Sequence, residues 1–487
     1  MAPHHWRLTP ASGQPIAVDD DLTEICRIGG PGLNGSDEAA TSRYFLRDLA
    51  PMGRAKLHKS HDGEFLMARI RFGTFLAPHH PVGEHPTLQF QRDLRLAEHL
   101  DKLGFDEFWC GEHHSSGWEM IASPELFLAI ASERTKRIRL GTGVVSLPYH
   151  HPFNVAQRIV QLDHMTFGRV IFGTGPGALP SDARTFGIDY MLLRDRQDEA
   201  IGILKRLFAG ERITYKGEWF QLNEAQLQIL PYQEDLPMAA ASSISPSGMQ
   251  IAGQYGMGIL SIASTSQEGL QALPTQWSFA EEAAKKHDQK VDRKNWRVVM
   301  AWHLAESKKQ AEQEAVDGLQ HWHNEYNVRV LGRPGSIHVA DKWELLARTT
   351  GIGNAVGTSV IGTPDEMVKT IRALQEVTGG FGVVLGFAHD WANHEATLRS
   401  WELFARYVIP EINGHTRNLK ASAEYLATNK VELMTGLNAA IMAKVQGNKV
   451  AEAAMAVTKQ RMATQAQGGG WRPESDTPAT DPGKAAK

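Results

Sequence analysis

Phe105–Trp118 reads FDEFWCGEHHSSGW, and the rest of the chain is organised around it. An apolar run, Phe105 to Cys110, stops at Gly111 and is followed at once by Glu112, His113 and His114. A buried strand therefore delivers three titratable groups to its C-terminal end. In a parallel α/β protein the pocket lies beyond the carboxyl ends of the strands, and histidine is the side chain most easily poised for proton transfer near neutral pH. Adjacent histidines on a strand point to opposite faces, so at most one of the pair is expected to face the pocket.

Working outward, short apolar runs of the same kind recur at Ile70–Leu76, Ile138–Val145, Val170–Thr174, Met238–Ser242, Gly258–Ile262, Arg297–Leu304 and Gly382–Phe387. Runs with helical periodicity separate them: 88–103, 124–134, 154–165, 193–208, 247–255, 268–287, 308–325, 365–377 and 395–408. Unbroken strands bounded by Gly or Asp are those covered on both faces. Eight β-runs alternating with helices predict a (β/α)8 TIM-type barrel over 67–411, with an open doubly wound sheet as the alternative. Two interruptions break the alternation. Ile213–Leu230 has period two and predicts a hairpin, and the Gly-rich stretch Tyr326–Gly357 is an insertion before the last strand, placed to act as a lid.

Outside this span the pattern changes. Residues 1–66 are polar and punctuated by Gly and Pro, which predicts a poorly ordered extension, and Met67 is the expected start of the folded part. A chain beginning at Met67 is expected to fold and act normally. Residues 412–466 predict a helical segment, with one or two amphipathic helices between Leu419 and about Lys444, and 467–487 a disordered tail.

Composition narrows the function classes. Hydrophobic residues at 42%, charged residues at 22% and a net charge of -4 describe an ordinary globular protein with no basic surface for nucleic acid. Two cysteines, Cys26 and Cys110, form no CxxC pair, so a disulfide framework and a thiolate metal cluster are both unexpected. With no signal-peptide core and no membrane-length apolar run, a cytoplasmic protein is expected.

Four features coincide with strand ends: Glu112–His114; Gly141–Val144 with Tyr149–His151; Gly173–Gly177; and Ser242–Gly248. In the last, Ser242, Ser243, Ser247 and Gly248 bridge a strand end and a helix start, where hydroxyls and free N–H groups converge as a phosphate seat. Ordinary N-capping would place serines there equally well. Gly173–Ala178 matches G-x-G-x-x-A, but Leu179-Pro180-Ser181 follows where a helix should already run, so close backbone packing against a flat ligand is the better use of these glycines. The histidine pairs 79–80, 113–114, 150–151 and 321/323 lack metal-binding spacing, and no metal is expected.

As a set, GEHH at 111–114, LGTGVVSLPYHHP at 140–152, DHMTFGRVIFGTGPG at 163–177 and the serine turn resemble the luciferase-like flavin monooxygenase family, and within it the limonene-oxidising branch. The resemblance runs from about Arg69 to Pro410. It implies a TIM-type barrel that takes reduced FMN or FAD from a separate NAD(P)H-dependent reductase, forms a C4a-hydroperoxide with O2, and passes one oxygen atom to a small apolar substrate. For a monoterpene the product is an epoxide. His113 matches the family's catalytic acid/base, and Gly143–Val144 matches a non-prolyl cis peptide behind the isoalloxazine ring. Thr142, Gly175 and the serine turn complete the implied cofactor site. Homodimers are common in the family. Where luciferase has a cysteine and a phosphate-binding arginine, this chain has Gly175 and Pro176, so the phosphate must rest more on the serine turn.

A hydroperoxide must be kept from water and its distal oxygen kept protonated, which His113 can do. Phe75, Leu76, Trp109 and Trp118 are the expected substrate lining, although aromatic residues there serve equally as barrel core. The alternatives are an F420-dependent oxidoreductase on the same barrel, a metal-dependent barrel hydrolase, and a non-catalytic flavin binder.

Overall fold

A computed structural model describes residues 69–465, apart from 78, 263–265, 334 and 352–356. The expectations for 1–66, for Met67 and for 467–487 lie outside the described residues.

Eight parallel strands close on themselves: Arg71–Leu76, Glu107–Cys110, Arg139–Thr142, Val170–Gly175, Met238–Ser242, Gly258–Ser261, Trp296–Leu304 and Val383–Phe387. Each pairs with the next, and the eighth returns to the first with Arg71 opposite Val383 and Phe75 opposite Phe387. The closed barrel is thus the observed fold. Alternation along each strand sorts the side chains into two layers. Phe75, Trp109, Ile171, Ala239, Leu260, Val299 and Leu385 fill the interior, whereas Phe72, Phe108, Leu140, Phe172 and Val384 pack outward against the helices.

Three local departures from the sequence pattern bear on the site. The run Ile138–Val145 is not one strand: pairing stops at Thr142, the Gly143–Val144 peptide bond is cis, and Val145–Ser146 resumes against the fourth strand. The helix from Lys308 ends at His321 and continues as a π-helix, Trp322–Val330, a form concentrated at functional sites. The stretch 326–357 is also more regular than its glycines imply, with a helix at Lys342–Thr350. Just after it a short strand, Ser359–Gly362, pairs with the upper half of the seventh barrel strand. That strand was hidden because four buried residues leave almost no periodic signal.

The hairpin appears as Ile213–Lys216 against Gln221–Ala225. Beyond the barrel, Arg417–Val445 and Lys449–Gln465 are helices, and the first has no buried residue. No helix among the described residues is long and apolar enough to cross a membrane.

Candidate active site

The second strand ends at Cys110, and the chain after it leaves the sheet, so His113 and His114 are freed from strand alternation and diverge. His113 turns toward two carboxylates. Its Nδ1 lies 3.0 Å from Asp182 Oδ2 and its Nε2 lies 2.8 Å from Glu119 Oε2. Asp182 comes from the short helix Pro180–Thr185 after the fourth strand, and is fixed by the His114 backbone N–H at 3.1 Å and by the Ser115 hydroxyl. The other Glu119 oxygen faces His79 Nε2 at 3.1 Å. The four side chains form one line, His79–Glu119–His113–Asp182.

Burial pulls the His113 pKa down, but the Glu119 charge and the hydrogen-bonded Asp182 override it and raise it to about 10. His113 is therefore an imidazolium at neutral pH. Burial opposes ionisation of Glu119 as well, yet the two flanking histidines hold its pKa below the usual carboxylate range. His79 goes the other way, because its burial outweighs the attraction of Glu119 and lowers its pKa. One histidine keeps its proton and the other stays neutral, on opposite sides of a shared carboxylate.

His114 belongs to a second group. Its Nε2 and that of His150 donate to the same oxygen of buried Glu112, at 2.8 and 2.7 Å, while Glu112 Oε2 accepts the Ser146 N–H at 3.0 Å. Sequence spacing argued against a metal site, yet these three residues do bring metal-type ligand atoms within 4.8 Å of one another. Spacing along the chain does not reveal this group, because His150 arrives from the third βα loop. As arranged, the carboxylate is satisfied by its protein donors alone, which depress its pKa against the effect of burial.

The residues expected at a cofactor are placed as follows. Thr142 is fully buried, and its hydroxyl donates to Gly173 O at 2.8 Å and accepts from Gly173 N at 2.9 Å, tying the third strand to the fourth. Gly173 and Gly175, at the end of the fourth strand, are packed tightly against protein atoms. A Cβ on Gly173 would strike the Thr142 carbonyl, and one on Gly175 would lie 2.5 Å from Val144 Cγ2. A Cβ on Gly143 would lie 3.1 Å from the Phe75 ring, which puts the cis peptide and Phe75 in contact.

In the serine turn, the helix Ser247–Tyr255 is capped by Pro246 with no side-chain hydrogen bond, so the serines are not N-caps. Ser242 Oγ is buried without a partner among the described residues, and Ser243 is exposed. Arg194 Nε lies 3.2 Å from Ser247 Oγ. An unpartnered hydroxyl, an uncapped helix N-terminus and a guanidinium fit an anion such as a phosphate. Gly248 lets that helix approach Ala241, whose carbonyl a Cβ would meet.

The expected substrate lining divides. Phe75 stacks on Phe387 at 6.3 Å, and Trp118 lies 5.3 Å from Tyr326. Trp109 is barrel core instead, with its Nε1 donating to Glu107 at 2.8 Å and its ring beneath Arg297. Leu76 faces outward by strand alternation, and lines a cleft of about 320 Å³ with His80, Arg92 and Leu398, on the far side of the barrel wall from Phe75. Sequence reasoning missed Glu119, Asp182, His79 in this role and Arg194. Glu119 sits just past the quoted stretch and could have been read with it; Asp182 and Arg194 meet their partners only through the barrel closure.

Comparison with known proteins adds the family. The profile described as "Luciferase-like monooxygenase" matches residues 70–379. The 4-hydroxyprotoasukamycin monooxygenase of Streptomyces nodosus subsp. asukaensis is 46% identical over 365 residues, covering 74% of this chain and 97% of that protein. The limonene 1,2-monooxygenase of Rhodococcus erythropolis is 46% identical over 346 residues, covering 71% and 87%. Among solved structures, the oxygenating constituent of 3,6-diketocamphane monooxygenase from Pseudomonas putida, in complex with FMN, superposes with a TM-score of 0.61 at 26% identity, over 71% of this chain and 99% of that one.

Proposed function

The chain belongs to the luciferase-like monooxygenase family, and from that premise we propose that it is the oxygenating half of a two-component system. It takes reduced FMN or FAD from a separate NAD(P)H-dependent reductase and uses O2 to epoxidise a small cyclic alkene of the monoterpene type. The observation that carries the reading is the anion seat at the barrel mouth, made by the uncapped helix at Ser247, the unpartnered Ser242 hydroxyl and Arg194. It suits the phosphate of a flavin, and FMN is the flavin bound by the diketocamphane relative.

Reduced flavin supplies the electrons that activate O2. Ser242, Ser247, Gly248 and Arg194 hold the phosphate, with Ser243 at the rim, and Thr142, Gly143, Val144 and Gly175 shape the floor for the ring. His113 holds a proton at neutral pH between Glu119 and Asp182, and offering it to a reacting oxygen requires one of these two contacts to open. Trp118 and Tyr326, both buried, keep water from the same corner. A cytoplasmic location and a homodimer complete the reading, the first resting on the sparse cysteines and the second on the family.

The test mixes purified protein with photoreduced FMN or FAD, admits O2, and assays limonene epoxide and H2O2. Epoxide that requires both reduced flavin and O2 supports the proposal. Hydride transfer from reduced F420 without oxygen uptake would replace it with the deazaflavin reading, and product formation abolished by a chelator would point to the Glu112 cluster.

A further inference from the structure

Limonene is a hydrocarbon, and a pocket for it needs no polar groups; the corner beyond His113 is not of that kind. His79 is 5% exposed and its Nδ1 has no partner among the described residues. Because Nε2 faces an ionised Glu119, the ring proton sits on Nε2 and Nδ1 presents a bare lone pair. The Tyr326 ring lies 4.5 Å from the His79 ring and 5.3 Å from Trp118. Tyr326 Oη and Trp118 Nε1 are likewise buried and unpartnered among the described residues, on rings packed side by side with His79, and Glu119 Oε2 beside them, ion-paired with His113, has no hydrogen-bond partner there either. Buried polar groups left unpaired carry a free-energy cost, and a cluster of them marks a place that a water or a polar group of a ligand would satisfy.

The corner is also in the right place. Phe75 touches Gly143 of the cis peptide, Phe387 stacks on Phe75, and His79 lies 5.1 Å from Phe387. The polar corner is two aromatic rings away from the floor assigned to the flavin. Charged neighbours of His79 are Glu119, His113 and Arg333; the first attracts a proton to it, the other two repel one, and burial keeps it neutral.

We propose that His79, Tyr326 and Trp118 form a subsite for a hydroxyl group on the substrate, so that the enzyme selects a hydroxylated cyclic alkene over the bare hydrocarbon. The substrate O–H donates to His79 Nδ1, and its oxygen accepts from Tyr326 Oη or Trp118 Nε1. Glu119 acts as a positioning residue that fixes the His79 tautomer. The inference rests on the function proposed above, and narrows its substrate.

Limonene and carveol form a matched pair, since carveol is the same cyclic alkene with one hydroxyl added. Binding of each to the flavin-free protein is followed by the change in tryptophan emission that is lost in Trp118→Phe, because a hydroxyl seated at His79 must shift the Tyr326 ring that packs against Trp118. Carveol is expected to bind about tenfold or more tightly than limonene. His79→Phe should erase that difference by weakening carveol alone, and Tyr326→Phe should reduce it, with thermal unfolding confirming that both variants fold. Equal affinity for the pair, no binding of either, or a His79→Phe protein that loses both ligands equally would overturn the subsite. Those outcomes leave the family-level function standing if flavin-dependent oxygenation is still seen, so the two failures are separable.

Discussion

The two ends of the barrel bury the same kind of group and treat it differently. At the N-terminal end, Glu107 opens the second strand inside the barrel and meets Arg297 Nε at 2.6 Å, Arg71 at 2.8 Å and the Trp109 N–H at 2.8 Å. At the C-terminal mouth, Glu119 and Asp182 meet His113, and Glu119 also meets His79. Burial works against ionisation of every one of these carboxylates, and every one has its pKa depressed by its partners. What differs is whether the partner can give up its proton. A guanidinium cannot at any physiological pH, so the lower network only holds strands together. An imidazole can, so the upper network stores a movable proton.

The largest expected effect tests the lower half of that contrast. Arg297→Met would leave Glu107 charged beneath Trp109, short of the bidentate partner that approaches both its oxygens. Breaking a buried pair in this way costs about 3–5 kcal/mol. Urea unfolding should show that loss, while turnover per folded molecule stays near wild type. A variant of normal stability and lost activity would break the comparison, because it would make the lower network functional.

The upper half is tested by His113→Ala. Product formation is expected to fall by about 10²–10⁴-fold, the usual range for a lost acid/base group. Flavin affinity should stay within a few-fold, since the phosphate seat proposed at Ser242, Ser247 and Arg194 is not touched. Product assay and flavin titration measure the two effects separately. Full turnover would refute the role of His113 and favour a non-catalytic flavin binder.

The same contrast explains what the sequence made readable. The barrel was legible because strands buried on both faces are continuous apolar runs, and seven of the eight could be placed within a few residues. The third was drawn too long because its apolar pattern runs on past Gly143; the cis bond at Gly143–Val144 that ends the pairing was expected from the family resemblance and not from periodicity. His113 was legible from its place after Cys110. Its partners were not, because Asp182 and His79 come from other loops, and only closure of the barrel brings them to one carboxylate line. Leu76 lies on the outer face of its strand, opposite Phe75, and Trp109 fills the interior as barrel core, the other use the sequence reading gave its aromatics.

The smallest effect is a pH dependence, and it sets the two ends apart without touching catalysis. His113, raised to about 10, and His80, raised to about 9 between Asp93 and Asp390, both bind protons more tightly in the folded chain than the ordinary value of 6.5 allows. Burial opposes both shifts, and the neighbouring carboxylates override it. A raised pKa stabilises the fold fully below the unfolded value, and that contribution is lost as pH rises through the folded value. The melting temperature should therefore decline between about pH 6.5 and 10. In His113→Ala the decline should shrink to the share owed to His80. In Arg297→Met the whole curve should drop with its slope unchanged, because both raised histidines are left in place. Parallel curves for wild type and His113→Ala would show that the proton held at the mouth is not coupled to the fold, and the distinction between the two ends would fail.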